Sequence, residues 1–507
     1  MEQLAVWDYL LIGVYMLGVV GLGLYFSGRQ ESLKDYFLAG GTMPWWAVSM
    51  SIYATLLSPL TFLGVAGWVF LKDSRWFVGG PTIAIVTVFI SAMIWVPIWD
   101  RLRLLSIYEY LEHRFHPAVR TFGAVLFPVQ MIFWIGNGLV AASDAFEQVT
   151  GLPARACLVG IVILGSLYTV LGGSRAVIWT DVVQFVVFLF SFIVIGFLLL
   201  SHFGWDALRI YEIASSQTSE VTGYPHTQVI STEWDLSVEA AIWAIIVLKF
   251  MEIFAFGTHQ VTVQRLMATS GKRQMYLAFV GTAVIDWLFT MMIVFISWGL
   301  IAFYHTNAAA EAPAHGDQIM ANYVVTFVPI LVRGLIMAGL LAAVMSSFDS
   351  ALNSIGSVVI SDFYRRYWAS DRTEGHYVSV SRLVTLAAGG CLLLFALWQY
   401  QYRESTALER VAQLHVLVIG PVACFFILGV FSKRVNTPGA LFGGIMSMAL
   451  ALVLNGFPNV FDPLITGVNW MWVSSFSMAF GLVSGYLASW LFAAPEPKKL
   501  TGLTIWP

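Results

Sequence analysis

In the apolar stretch MAGLLAAVMSSFDSALNSIGSVVISDFY, residues 337–364, the polar side chains Ser346, Ser347, Asp349, Ser350, Asn353 and Ser354 crowd together. Positions 346, 349, 350 and 353 follow i, i+3, i+4, i+7, so a helix sets their oxygens on one face, with Ser347 beside them. A carboxylate at the centre of a bilayer costs about 2.5 to 3.5 kcal/mol on insertion scales, so Asp349 requires a partner, a cation or a water-filled cavity. Hard cations such as sodium take oxygen ligands, and no His/Cys set suited to a transition metal accompanies these residues. Close helix packing accounts for some of the serines, since Gly339 and Ala343 make a small-xxx-small pair, but it does not account for Asp349. A second acid in an apolar setting, Asp181, strengthens the cation reading.

The elements that position this stripe follow from composition. Of 507 residues, 59% are hydrophobic and 11% charged, which makes the chain an all-α polytopic membrane protein. Hydropathy gives about 13 transmembrane helices, near 5–27, 45–72, 77–99, 120–148, 153–172, 176–203, 237–258, 274–304, 328–362, 377–398, 408–431, 437–457 and 469–493. The net charge of −3, with no basic run and no zinc spacing, leaves no nucleic-acid partner. Cys157, Cys391 and Cys424 all fall in predicted helices, so neither a disulfide framework nor a metal site is indicated. The first apolar segment has no basic n-region and no cleavage signal, and reads as a retained span. An outside N-terminus and a cytoplasmic C-terminus put most of the 26 Lys and Arg, Arg175, Arg265, Lys498 and Lys499 among them, on the cytoplasmic side or its membrane boundary. No loop is long enough for a separate folded unit, so residues 1–507 form one domain in the lipid bilayer.

Three interruptions stand out. Ser58-Pro59 lies in the middle of the second span, where proline removes an amide donor and frees carbonyls around Ala54 to Leu57; bare carbonyls are good cation ligands. In the seventh span Lys249 and Glu252 sit one turn apart, followed by Gly257-Thr258; the charges either neutralise each other or meet a solute. Interrupted helices five spans apart are what two inverted five-helix repeats would produce, 45–203 and 237–431, flanked by the first helix at 5–27 and C-terminal helices at 437–493, with a binding site at the midplane. The third interruption, GGSRAVIWTDVVQ at 172–184, turns at its glycines and starts the sixth span, where Asp181 either caps the helix, as Thr180 could, or faces Asp349.

Six stretches in order, the broken second span, IYEYLEHRF at 107–115, GGSRAVIWTDVVQ, GTHQVTVQRLMATS at 257–270, GLIMAGLLAAVMSSFDSALNS at 334–354 and FILGVFSKRVNTPGALFGG at 426–444, give the sequence its resemblance to the sodium:solute symporters. That resemblance implies a leucine-transporter-like 5+5 inverted repeat with broken helices 2 and 7, alternating access, and Na+ as the coupling ion, one or two per cycle. It implies a first sodium site at Ala54, Leu57, Ala343, Ser346 and Ser347, and a second at Asp181, Asp349, Ser350 and Ser346, where Asp349 replaces a family hydroxyl. Two facing carboxylates either bind a cation more strongly or share a proton.

The expected activity is sodium-driven import of a small polar organic solute, a sugar, sugar acid or other organic anion, across the plasma membrane, the inner membrane in a bacterium. Candidate solute contacts are Ser58, Thr61, Phe62, Gln130, Asn137, Glu252, Phe256 and Gln413, each of which is either a contact or a satisfied interior residue. The family's sialic acid carriers grip a carboxylate with an arginine where Asn137 stands here, while their hydroxyl pair aligns with Ser58 and Thr61. The alternatives are a proton-coupled carrier of the same fold and a non-transporting solute sensor or channel. HExxH, GxSxG and phosphate-binding glycine motifs do not occur, which disfavours an enzyme. Neither the oligomeric state nor the solute's identity follows from the sequence.

Overall fold

The computed structural model describes residues 4–26, 30–58, 60–235, 238–307, 310–401, 407–454 and 470–506, and contains helices and no strand among them. In chain order the helices are α1 (Val6–Tyr25), α2 (Leu33–Leu38), α3 (Trp45–Leu56), α4 (Val65–Leu71), α5 (Arg75–Leu102), α6 (Tyr108–Arg114), α7 (Pro117–Thr150), α8 (Ala154–His202) and α9 (Ala207–Ser216). There follow α10 (Ile242–Phe256), α11 (Gln260–Met267), α12 (Lys272–Thr306), α13 (Gly316–Phe327), α14 (Val332–Val358), α15 (Glu374–Gln399), α16 (Ala407–Phe431), α17 (Thr437–Leu454) and α18 (Trp470–Ala488). Among the described residues nine helices are long and apolar enough to cross a membrane, or eleven if each of two bent pairs counts as one span. The expected spans 153–172 and 176–203 run together as α8, which turns at Gly173.

Local chemistry sets these boundaries. α1 begins where the Asp8 carboxylate accepts from the amides of Ala5, Leu331 and Gly334, tying the first helix to the start of α14. α7 starts at Pro117, suited to a first-turn position that has no helical acceptor for its amide, and ends on Gly151 with φ 72°. Gly173 adopts φ 60°, ψ −169°, and a Cβ there would stand 2.9 Å from the Tyr36 carbonyl, so glycine serves both the turn and the packing of α2 beneath it.

α14 is the axis. In its most apolar window 94% of residues are buried, against 22% for α1, so α14 is surrounded by protein while α1 offers Leu17, Val14 and Leu10 to lipid. Around it pack α8, α1, α7, α3 and α15. A cluster of rings, Tyr53, Phe62, Phe185, Phe188, Phe192 and Phe289, joins α3 and the segment after it to α8 and α12. The stretches 204–236 and 305–327, between the expected spans, contain α9 and α13. α13 packs on α4 so closely that a Cβ on Gly67 would fall 2.2 Å from the Gly316 carbonyl.

Candidate functional site

α3 and the helical stretch Thr61–Leu71 lie at 70° to each other, and α10 and α11 at 51°. Pro59 itself lies outside the described residues. The break after Leu56 is partly satisfied from within: the Ser58 amide donates to Thr61 Oγ1 at 3.3 Å, and the Thr61 and Phe62 amides donate to the Ser58 carbonyl at 2.9 and 3.2 Å. The carbonyls just before the break turn to α14. Ser346 Oγ donates to the Ala54 carbonyl at 2.8 Å and approaches that of Ala343 at 3.2 Å. Ser347 Oγ donates to the Thr55 carbonyl at 2.9 Å, with that of Leu57 at 3.3 Å. Ala54, Leu57, Ala343, Ser346 and Ser347 are therefore gathered in one buried, uncharged seam across about 290 residues of chain. Thr55 belongs to it as well, although its type gave no cue, since any residue supplies a carbonyl.

One turn further along α14 the chemistry becomes ionic. Asp349 and Asp181 are both fully buried, on α14 and α8. Tyr168 OH donates to Asp349 Oδ2 at 2.8 Å, and Ser350 Oγ lies 3.2 Å from Asp349 Oδ1 and 2.7 Å from Thr55 Oγ1. Asp181 Oδ2 accepts from Ser51 Oγ of α3 and from Arg265 Nη2 at 3.3 Å. Arg265 also donates through Nε to Ser51 Oγ at 2.7 Å and through Nη2 to Ser350 Oγ. A guanidinium from α11 is thus a counter-charge at Asp181, a partner that the sequence reading did not include.

Arg265 is 5% exposed within a helix whose eight residues are all buried. Counting basic residues by loop assigns a side of the membrane and is blind to a cation consumed by a buried acid. The available signal was the pair of buried acids, which needed a positive partner in some apolar segment. The capping role for Asp181 is likewise excluded, because the helix resumes right after Gly173 and Asp181 lies in its interior; Thr180 bonds back to the carbonyls of Ala176 and Val177.

The expected solute contacts divide. Gln130 lines a small cleft with Thr258, His259 and Gln260 at the α10/α11 break, closed by Tyr108, Phe127 and Val422. Ser58 and Asn137 are buried; Asn137 donates to the Phe133 carbonyl at 2.8 Å and its Oδ1 has no partner. Thr61 is engaged at the break, Phe62 stacks in the ring cluster, and Phe256 lies edge-on to Phe279 at 5.2 Å. Glu252 is taken up by Lys249 at 2.7 Å, beside Trp76 of α5. The side chain of Gln413 lies outside the described residues.

This arrangement has known counterparts. Residues 36–447 match the model of the sodium:solute symporter family. The sodium/sialic acid symporter NanT of Aliivibrio fischeri is 28% identical over 96% of this chain and 93% of its own. The sodium/sialic acid symporter SiaT of Proteus mirabilis is 30% identical over 88% of each chain. The structure of a substrate-bound, outward-open Na+-coupled sialic acid symporter superposes with a TM-score of 0.85 at 27% identity, covering 97% of this chain and 99% of that one. The architecture is that of the leucine-transporter-like carriers, and the protein is not an enzyme. The chain belongs to the sodium:solute symporter family and couples sodium to the symport of a small organic solute.

Proposed function

We propose that the chain imports a sugar or sugar acid by alternating access, with sodium held by the carbonyls of Ala54, Leu57 and Ala343 and the hydroxyls of Ser346 and Ser347. The observation that carries this reading is the pair of serine hydroxyls donating to the last carbonyls of α3. A buried hydroxyl that donates to a carbonyl keeps its lone pairs, so both oxygens can turn to a cation that enters between them. The set has no formal charge and suits a weakly held monovalent ion, loaded and released each cycle. Sodium bound there ties α3 to α14 and favours one of two arrangements, which is how it improves solute binding and the solute improves its own. An inside-negative potential adds about 2.3 kcal/mol per 100 mV for each positive charge carried fully across.

The solute class is supported by the two sialic acid symporters among the relatives and by the polar lining at Gln130, Ser58 and Asn137. Asn137, standing where those carriers use an arginine, favours a hydroxyl-rich solute gripped without a guanidinium. Residues 45–203 and 237–431 act as the two inverted repeats of one domain, in a plasma membrane with the N-terminus outside. The proton-coupled alternative drew on two unpartnered acids, and Arg265 removes most of its support. Uptake into proteoliposomes tests the reading, with sugars, sugar acids, amino acids and monocarboxylates offered under separate sodium and proton gradients. Concentration of a sugar or sugar acid that depends on sodium is expected; uptake indifferent to sodium and driven by protons overturns it.

A further inference from the structure

The polar stripe of α14 continues past the ionic cluster to Asn353 and Ser357, toward the end of the helix opposite its tie to Asp8. There two backbone carbonyls each take two side-chain donors, one from α11 and one from α8 or α14. The Phe37 carbonyl of α2 accepts from Gln264 Nε2 at 2.9 Å and from Ser174 Oγ at 2.6 Å. Asn353 closes this ring, donating to Ser174 Oγ at 2.7 Å and accepting from Gln264 Nε2 at 3.2 Å. The Leu105 carbonyl, between α5 and α6, accepts from Ser357 Oγ at 2.9 Å and from Gln260 Nε2 at 3.4 Å, while Gln260 Oε1 accepts from the Ile107 amide at 2.9 Å. Gln260, Gln264, Asn353 and Ser357 are all buried. The two glutamines stand one turn apart on α11, and Gln260 Nε2 lies 3.5 Å from Gln264 Oε1, so neither amide swings away without losing a contact to the other. Each also lines a space in the interior. Gln264 and Asn353 line a small cavity with Phe37, Ser174, Val177 and Arg265, and Gln260 lines the cleft at the α10/α11 break.

We infer that Gln264 and Gln260 are the two linked leaves of one cytoplasmic gate: Gln264, with Asn353, closes the cavity beside the ionic cluster, and Gln260, with Ser357, closes the cleft at the α10/α11 break. The chemistry of the contacts suits a part that opens in every cycle. All of them are neutral hydrogen bonds, which water replaces at little net cost, whereas the ion pair of the neighbouring Arg265 is costly to part. The leaves therefore swing as side chains while Arg265 stays with Asp181 and Ser350, and α11 need not leave its place. An amide is both donor and acceptor, so one glutamine holds a carbonyl on one side and its partner leaf on the other. Because the leaves are linked, the space on the ion's side and the space on the solute's side open to the same compartment in one event, which keeps the two releases in step.

The inference rests on the proposed alternating access and topology, and cysteine labelling in membrane vesicles tests it without sodium or solute. With Cys157, Cys391 and Cys424 replaced by serine, Val177→Cys reports on the cavity, Thr258→Cys on the cleft, and Ala338→Cys on a buried point in the other half of α14. A membrane-impermeant maleimide applied to inside-out vesicles is expected to label the first two slowly. Gln264→Leu and Gln260→Leu should each speed labelling at both reporters at least tenfold and leave Ala338→Cys unlabelled. Where a leucine variant does not fold, Asn353→Ala and Ser357→Ala, which each remove a partner of one leaf, carry the same expectation. Unchanged labelling overturns the gate, and so does a variant that opens only its own reporter, because the leaves are then not linked. An equal rise at Ala338→Cys assigns the glutamines to general packing and also overturns it. Binding of ²²Na+ to the same purified variants separates this inference from the coupling: unchanged labelling with ²²Na+ still bound overturns the gate alone, and faster labelling in a protein that binds no ²²Na+ overturns the coupling alone. Acceleration confined to right-side-out vesicles overturns both the gate and the proposed topology.

Discussion

Two clusters share one face of α14 a single helical turn apart, and they solve burial differently. The seam at Ser346 and Ser347 is neutral, and each hydroxyl meets a carbonyl freed by the break after Leu56. The cluster at Asp349 and Ser350 is ionic and is closed by Arg265, Ser51 and Tyr168. Neutral hydroxyl–carbonyl contacts contribute about 1 kcal/mol each and can be exchanged for an ion at little cost. Breaking a buried ion pair leaves a charge without compensation, at several kcal/mol, so the second cluster holds α3, α8, α11 and α14 together. Proximity along a helix is therefore a poor guide to role: one turn separates a site suited to loading and release from one that sets the local charge.

Substitutions can break this contrast, and the largest effect is expected at the ionic cluster. Arg265→Leu leaves Asp181 and Asp349 buried without their cation and should destabilise the protein by about 3–5 kcal/mol, read as a loss of monodisperse protein or a lower melting temperature in detergent. Adding Asp181→Asn to that variant should recover part of the loss, because it removes one of the stranded charges; a strictly additive double variant would mean the two groups do not interact. Asp181→Asn alone should retain the fold and change the sodium stoichiometry of uptake. If stoichiometry is unaltered, the acid serves only to hold Arg265.

At the neutral seam the expected losses are smaller and of another kind. Ser347→Ala should cost about 1 kcal/mol of stability and shift half-maximal sodium activation of uptake upward by about tenfold. Unchanged sodium activation in a well-expressed variant would remove Ser347 from the ion's shell. The smallest change should come from Lys249→Met combined with Glu252→Gln. That pair is partly exposed, so about 1 kcal/mol or less is at stake, and sodium activation should be unaffected. A strong defect in solute affinity there would return Glu252 to the binding site.

Much of this was legible in the chain itself. Apolar windows of about 20 residues determined a polytopic helical protein because an unpaired peptide group is not tolerated in hydrocarbon. The i, i+3, i+4, i+7 spacing from Ser346 to Asn353 put their oxygens on one helical face before any neighbour was known. Six ordered stretches carried the family. What the chain alone left open was which groups meet a partner far away in sequence. Arg265 was counted only towards topology, and it meets Asp181 across 84 residues and Ser350 across 85. Contacts within one turn were open to sequence reasoning: Lys249 holds Glu252, one of the two alternatives that their spacing offered, and Thr61 bonds within its own break. Periodicity and hydropathy are local sums, so they determine which segments enter the membrane and which face of each is polar. The state of a buried charge is set by whichever opposite charge the packing brings within about 3 Å, and only the tertiary structure decides that.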